Sequence, residues 1–134
     1  MSELVRSYPL SVRVRYAECD PMGILHHAKY LEFFEMGRVE LLRASGFSYR
    51  ELEDRGVFFV VFKLNVKYHL PSRFDDELLI TTSIERMTRA RIDHAYRVTR
   101  DGQLACEAAS TLACVDGNGK IIPIPDEIFV PIPG

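Results

Sequence analysis

AKYLEFFEMGRVELLRA, residues 28–44, has the apolar spacing of one long amphipathic helix. Its apolar side chains share one arc of a helical wheel with Gly37, and most of its charged side chains lie opposite. A glycine inside a helix costs about 1 kcal/mol relative to alanine, so Gly37 on the apolar arc predicts close approach by a packed sheet. Arg38 lies inside the arc and Glu35 at its edge, and this spacing predicts an ion pair at the rim of the core.

Most of the remaining chain has the alternating or continuous apolar pattern of strands. We predict strands at 11–17, 57–70, 77–86, 91–100 and 103–115. Ser48 begins a short predicted helix over 48–56, and Asp101-Gly102 predicts a two-residue hairpin turn. The four prolines of residues 121–134 predict an edge or a tail. The order of elements predicts an α+β domain with one long helix on an antiparallel sheet whose last four strands form a meander.

Length and composition narrow the class of protein. The 134 residues predict a single domain, 1–134, and the net charge of −2 gives no reason to expect nucleic acid as a partner. Three cysteines without a CxxC pair argue against a disulfide framework and for a reducing compartment. The absence of an apolar signal core or membrane-length run predicts a cytoplasmic protein without integral membrane contact. One helix cannot cover both faces of the sheet, so we expect a homo-oligomer, at least a dimer.

Reactive side chains are concentrated in ECDPMGILHHAKY, residues 18–30, around the start of the long helix. The adjacent His26 and His27 diverge in either a helix or a strand, and their spacing is not that of zinc sites, so we predict no metal. A carboxylate next to Cys19 disfavours the thiolate and argues against a cysteine nucleophile. A catalytic site with Asp20 as its acid is one interpretation of this stretch.

A purely structural interpretation of the same residues stays open. Asp20-Pro21 is also the pattern of a capped turn or helix start, and His27 is also consistent with a partly buried histidine at the beginning of the helix. The clustering of a carboxylate, an imidazole and the Tyr30 phenol at a helix N-terminus favours the catalytic interpretation. Such a terminus offers N–H groups and partial positive charge to a carbonyl oxygen or oxyanion.

Asp20-Pro21-x-Gly23-Ile24, followed by His27 and Tyr30, resembles the motif of the hotdog-fold thioesterases of the 4-hydroxybenzoyl-CoA thioesterase type. Within that family the chain most resembles the bacterial acyl-CoA thioesterases associated with the Tol–Pal system. The likeness continues through Asn65–Tyr68, Pro71–Leu78 and Pro123–Ile128. It implies a hotdog fold, a five-stranded antiparallel sheet wrapped around one long helix, assembled as dimers or as a homotetramer.

The resemblance also implies an activity, the hydrolysis of acyl-CoA thioesters to a free acid and CoA. It implies Asp20 as the catalytic carboxylate, either nucleophile or general base, with His27 and Tyr30 as further catalytic residues. No metal or cofactor is implied, because CoA enters as part of the substrate.

Substrate-binding residues are implied in the same way. The resemblance implies a backbone N–H near Phe58 as the donor to the thioester carbonyl, although the glycine typical of that position is absent. It implies Arg89, with Arg91 as a neighbour, at the phosphates of CoA.

Two other functions stay open from the sequence. One is a hotdog dehydratase acting on hydroxyacyl thioesters, and the other is a non-catalytic protein that binds acyl-CoA or an acyl carrier. An acyl carrier protein in place of CoA, and the length or aromatic character of the acyl group, also stay open.

Overall fold

The computed structural model describes residues 4–134, which form two helices and six strands. The helices are α1, Lys29–Ala44, and α2, Tyr49–Asp54. The strands are β1 (Ser7–Arg13), β2 (Phe58–Tyr68), β3 (Glu77–Met87), β4 (Ile92–Arg100), β5 (Gln103–Val115) and β6 (Ile121–Ile122). No helix among these residues is long and apolar enough to span a membrane.

The sheet is antiparallel, with the strand order β1-β3-β4-β5-β2 and with β6 beside the end of β5. The predicted five-stranded α+β architecture is confirmed, with β6 as a short addition. The predicted meander of four strands is wrong in one respect, because β2 pairs with β5 and only β3, β4 and β5 form a meander. Alternation along a strand specifies its buried face but not its neighbour, so the sequence pattern could not identify this crossover.

Helix α1 matches the predicted helix and packs its apolar arc on the sheet. Gly37 contacts Thr82 on β3, and a Cβ atom at Gly37 would lie 2.2 Å from Thr82 Oγ1. The predicted close approach of the sheet at this glycine is therefore confirmed. It fixes the depth at which α1 lies on the sheet and thereby the position of its N-terminal end.

Arg38 does not form the predicted ion pair with Glu35, so that prediction is wrong. Its Nη1 donates to the Tyr96 hydroxyl at 2.9 Å, and that hydroxyl lies 2.5 Å from Ser110 Oγ. No carboxylate within residues 4–134 lies within 4 Å of the guanidinium. The guanidinium instead hydrogen-bonds to the Tyr96 hydroxyl on β4, because it lies on the sheet side of the helix.

The first strand lies earlier than predicted, at Ser7–Arg13 in place of 11–17. The chain turns at Tyr16–Glu18, where the Glu18 carboxylate accepts from Arg15 N at 2.7 Å and lies 3.2 Å from the Arg15 guanidinium. Val14 is buried, but Tyr16 is 79% exposed and does not share its face as the alternation predicted.

Three other local predictions are confirmed. Ser48 caps α2 by accepting from Glu51 N, and Asp101 and Gly102 have the positive φ angles, 51° and 79°, of a two-residue hairpin turn. The proline-rich tail forms no central strand, and it buries three isoleucines against the core: Ile124, Ile128 and Ile132.

Strand β2 is the terminal strand of the sheet next to β5 and is largely exposed. Five of its large hydrophobic side chains are more than one third exposed: Val60, Val61, Phe62, Leu64 and Tyr68. An edge strand with unpaired backbone groups and apolar side chains is suited to pairing with another chain.

Candidate active site

The loop after the Tyr16–Glu18 turn holds Asp20 by one of its two carboxylate oxygens. Asp20 Oδ1 accepts from Met22 N at 2.9 Å and from Ile24 N at 3.3 Å, and Gly23 takes a φ of +79° to close the loop. Asp20 therefore does cap a turn, as one of the two interpretations predicted. Oδ2 accepts no hydrogen bond within the described chain, which leaves one carboxylate oxygen available.

Asp20 lines an open cleft of about 290 Å³ between this loop, the start of α1 and the segment that follows β2. The structure brings the three residues predicted to be catalytic, Asp20, His27 and Tyr30, to the walls of this one cleft. The remaining lining residues are Ile24, Leu25, Tyr68, His69, Leu70 and Pro71.

The two adjacent histidines occupy the start of α1 with different roles. His26 Nδ1 accepts from Ala28 N at 3.1 Å, at the residue that precedes α1. The exposed His27 ring stacks on the His26 ring at 4.3 Å, and the His27 carbonyl accepts from the Tyr68 hydroxyl at 2.8 Å. These contacts fix the backbone at His27 and leave its imidazole at the cleft.

Tyr30 is 3% exposed and forms the inner wall of the cleft. Its hydroxyl donates to Ser72 Oγ at 3.4 Å, and its ring packs edge-on against Tyr68. Burial raises the pKa of the Tyr30 phenol above its ordinary value, with a smaller opposing effect of the Ser72 hydrogen bond. The phenol is therefore neutral at pH 7 and can donate a hydrogen bond but cannot act as a base.

The wall behind Tyr30 is tied together by Arg100 at the end of β4. Arg100 Nη1 donates to the Pro71 carbonyl at 2.7 Å and to Ser72 Oγ at 3.2 Å. The Ser72 carbonyl in turn accepts from Leu25 N at 2.7 Å. The two loops that form the cleft are thereby held at a fixed separation.

Two cleft residues, Tyr68 and His69, were missed as site residues by sequence reasoning. His69 Nε2 lies 2.8 Å from Glu107 Oε2, so a carboxylate orients this imidazole at the edge of the cleft. The two residues lie 41 to 49 positions from His27 and Asp20 along the chain. The pairing of β2 with β5, not chain proximity, brings them to the cleft. No local sequence signal indicates that proximity.

The three residues predicted to bind substrate lie at the other end of the sheet. Ten residue steps separate Phe58 from Tyr68 along β2, a span of roughly 33 Å at about 3.3 Å per residue. Arg89 pairs with Asp126 at 2.6 Å, and its guanidinium lies 4.0 Å from the centre of the Phe129 ring.

Arg91 lies at the same end, with Nε 3.9 Å from Asp93 Oδ2. Within one subunit the structure therefore does not bring Phe58, Arg89 or Arg91 to the cleft that contains Asp20.

Residues 4–134 offer few candidate groups for thiol or metal chemistry. Cys106 and Cys114 are buried, and burial raises the pKa of each thiol to about 12. Within residues 4–134 no group of three or more His, Cys, Asp or Glu side chains is arranged to hold a metal ion.

Comparison with known proteins identifies the family. Residues 14–130 match the family model of the thioesterase-like superfamily. The acyl-CoA thioesterase YbgC of Haemophilus influenzae is 34% identical over 127 residues, 93% of each chain. The acyl-CoA thioester hydrolase YbgC of Escherichia coli O6:H1 is 39% identical over 106 residues, 78% of this chain and 79% of the relative.

A solved structure of a 4-hydroxybenzoyl-CoA thioesterase variant, in complex with 4-hydroxybenzoyl-CoA, has a TM-score of 0.84. It is 21% identical and covers 92% of this chain and 96% of that chain, so it shows the common fold. The family inferred from the motif around Asp20 is confirmed: this chain belongs to the thioesterase-like superfamily and has its hotdog fold.

Proposed function

We propose that this protein hydrolyses acyl-CoA thioesters and that Asp20 is the carboxylate that performs the reaction. The observation that carries the proposal is the pattern of hydrogen bonds at the two oxygens of the Asp20 carboxylate. One oxygen accepts hydrogen bonds from two loop amides, and the other accepts none from residues 4–134, in a cleft that His27 and Tyr30 also line. The names of the relatives, acyl-CoA thioesterase and acyl-CoA thioester hydrolase, support the same reaction.

The chemistry requires few groups because a thioester carbonyl is electrophilic and a thiolate leaves readily. As general base, Asp20 takes a proton from water while the water oxygen bonds to the acyl carbon and the C–S bond breaks. As nucleophile, Asp20 bonds to the acyl carbon, releases the CoA thiolate, and forms an anhydride that water then hydrolyses. In both routes Oδ1 stays bonded to the loop, and its amides hold the carboxylate in position.

His27 and Tyr30 complete the proposed machinery. The exposed His27 imidazole orients the thioester and exchanges protons with water or the departing thiolate. The neutral Tyr30 phenol at the inner wall limits the depth of the acyl group, and its one O–H can turn from Ser72 Oγ to donate to the substrate.

The assembly that we propose is a dimer in which the β2 strands of two copies pair antiparallel across their free edges. Phe58 and Tyr68 are at opposite ends of β2, so self-pairing centred near Lys63 would bring Phe58 of the partner subunit beside Tyr68. A main-chain N–H near Phe58 of the partner subunit would then donate to the thioester carbonyl. Phe58 of the same subunit cannot do so, because it lies at the opposite end of β2 from the cleft. Light scattering after size exclusion measures the assembly, and a monomer at assay concentration contradicts it.

A panel of acyl-CoA substrates tests the proposed activity. Short, long and aromatic acyl-CoAs are followed by thiol release, and a hydroxyacyl-CoA is followed for dehydration at the same enzyme concentration. Thiol release with turnover supports the proposal. Dehydration without thiol release would indicate a dehydratase, and binding without turnover would indicate an acyl-CoA binding protein.

Single-turnover hydrolysis in ¹⁸O-labelled water, with substrate below enzyme, addresses the two routes. Label found by mass spectrometry in the peptide that contains Asp20 indicates an anhydride opened at the Asp20 carbonyl. Label found only in the released acid indicates attack by water on the acyl carbon, either of the thioester or of an anhydride.

A further inference from the structure

Two aromatic side chains near the cleft are exposed to solvent and in contact with each other. Tyr16 is 79% exposed and Phe74 is 50% exposed, and their ring centroids are 5.1 Å apart with planes inclined at 58°. Large aromatic side chains usually contribute to cores, and contiguous exposed apolar surface often marks a binding site. We call these two side chains the Tyr16–Phe74 pair.

The backbone holds this pair in a fixed position. Asp75 N donates to the Val14 carbonyl at 2.9 Å, and Val14 N donates to the Asp76 carbonyl at 2.9 Å. These bonds join the segment before Tyr16 to the segment around Phe74. A binding surface that is already ordered loses little entropy when a ligand arrives.

The pair is continuous with the wall of the cleft. Arg73, the neighbour of Phe74, forms a β-bridge with Ile24, and the Ile24 side chain lines the cleft. A ligand whose reactive end lies at Asp20 can therefore extend over this wall toward the exposed rings.

Arg73, the chain neighbour of Phe74, supplies a cation in the same segment. Arg73 is exposed, and no carboxylate within the described part of the chain lies within 4 Å of its guanidinium. Exposed aromatic rings and guanidinium groups are the groups that proteins use to stack a nucleobase and to bind its phosphate.

We propose that Tyr16, Phe74 and Arg73 bind the nucleotide end of the acyl-CoA substrate, the rings stacking on adenine and the guanidinium pairing with a phosphate. The inference rests on the proposed thioesterase function and names the subsite for the part of the substrate that extends beyond the cleft. It differs from the role implied for Arg89 and Arg91, which lie at the far end of the sheet in the same subunit.

Truncating the substrate tests the subsite. KM and kcat are measured for an acyl-CoA and for the same acyl group on N-acetylcysteamine, which keeps the thioester and lacks the nucleotide. The double variant Tyr16→Ala/Phe74→Ala and the single variant Arg73→Gln should each raise KM for the acyl-CoA about tenfold. Their kcat and their KM for the truncated thioester should stay at wild-type values. Ile121→Ala and Arg50→Gln remove exposed side chains elsewhere and serve as matched controls.

A binding measurement tests the subsite without turnover. Calorimetry on the full chain should show adenosine 3′,5′-bisphosphate binding to the wild type and at least about tenfold weaker binding to the double variant. If the wild type releases no thiol from the acyl-CoA, the proposed function fails, and this measurement still decides the subsite.

Several results would overturn the inference. One is an unchanged KM for the acyl-CoA, or an equal rise for both substrates, in the double variant. Another is a changed oligomeric state with an unchanged ratio of the two KM values, which would assign the pair to a contact between copies. A third is loss of nucleotide binding in Arg89→Gln or Arg91→Gln but not in the Tyr16–Phe74 variants.

Discussion

Replacing Gly37 with alanine tests how closely α1 lies on the sheet. In an exposed helix this change stabilises by about 1 kcal/mol, because glycine is the poorer helix former. Here the new Cβ would lie 2.2 Å from Thr82 Oγ1, and Thr82 is fully buried on β3. Overpacking of this kind lowers the free energy of unfolding by about 1–3 kcal/mol. For so severe an overlap we expect the upper value, about 3 kcal/mol. The net expectation is a loss of about 2 kcal/mol.

Thermal and urea unfolding at one fixed protein concentration measure this loss, since assembly makes stability depend on concentration. At about 3–5 °C per kcal/mol for a chain of this length, Tm should fall by about 6–10 °C. Thr82→Ala provides the matched background, because it removes Oγ1 and leaves the Thr82 Cβ 3.5 Å from the new methyl group, an ordinary contact.

In the Thr82→Ala background Gly37→Ala should stabilise the protein by about 1 kcal/mol. The coupling energy between the two sites is then about 3 kcal/mol. A higher Tm for Gly37→Ala alone, or the same effect in both backgrounds, would refute the packing argument.

Three further predictions concern the cleft, a buried histidine and a turn. Tyr68→Phe removes the hydrogen bond to the His27 carbonyl. Its kcat should fall several-fold while Tm stays within a few degrees of the wild type. A large fall in Tm with an unchanged kcat would assign Tyr68 to stability alone. Burial lowers the pKa of His94 to about 3. The unfolded chain therefore binds the extra proton as pH falls below about 6.5, and about 2 kcal/mol of stability should be lost between pH 7 and pH 5. Urea unfolding of His94→Leu at both pH values should show a loss of stability that is smaller than the wild-type loss by about 2 kcal/mol. A loss as large as that of the wild type would contradict the assignment. Gly102→Ala places a side chain at a φ of +79° and should cost about 1–2 kcal/mol, whereas unaltered unfolding would argue against this turn.

Features determined by local chemistry were predictable from the sequence. The α1 boundaries, the Ser48 cap, the Asp101-Gly102 turn and the close contact at Gly37 each follow from the periodicity or from the conformational freedom of one residue type. The motif around Asp20 also identified the family, because its residues are adjacent in the chain.

Features determined by contacts between distant segments were not predictable. Arg38 bonds to Tyr96, 58 positions away, where local spacing favoured a neighbour on the same helix. Tyr68 and His69 reach the cleft through the pairing of β2 with β5, which alternation cannot specify. Tyr16 leaves the predicted strand face because the Glu18 carboxylate closes a turn, a side-chain contact that strand propensity does not include.

The most direct test of the proposed function is the kcat of Asp20→Asn on an acyl-CoA that the wild type hydrolyses. Asparagine keeps the side-chain oxygen that accepts from Met22 N and Ile24 N, so the loop should fold, and it removes the carboxylate charge. Asp54→Asn, an exposed change at the end of α2, is the matched control. The account predicts a loss of at least about 10²-fold in kcat for Asp20→Asn with an unchanged Tm, and wild-type turnover in the control. A near-wild-type kcat for Asp20→Asn would contradict it.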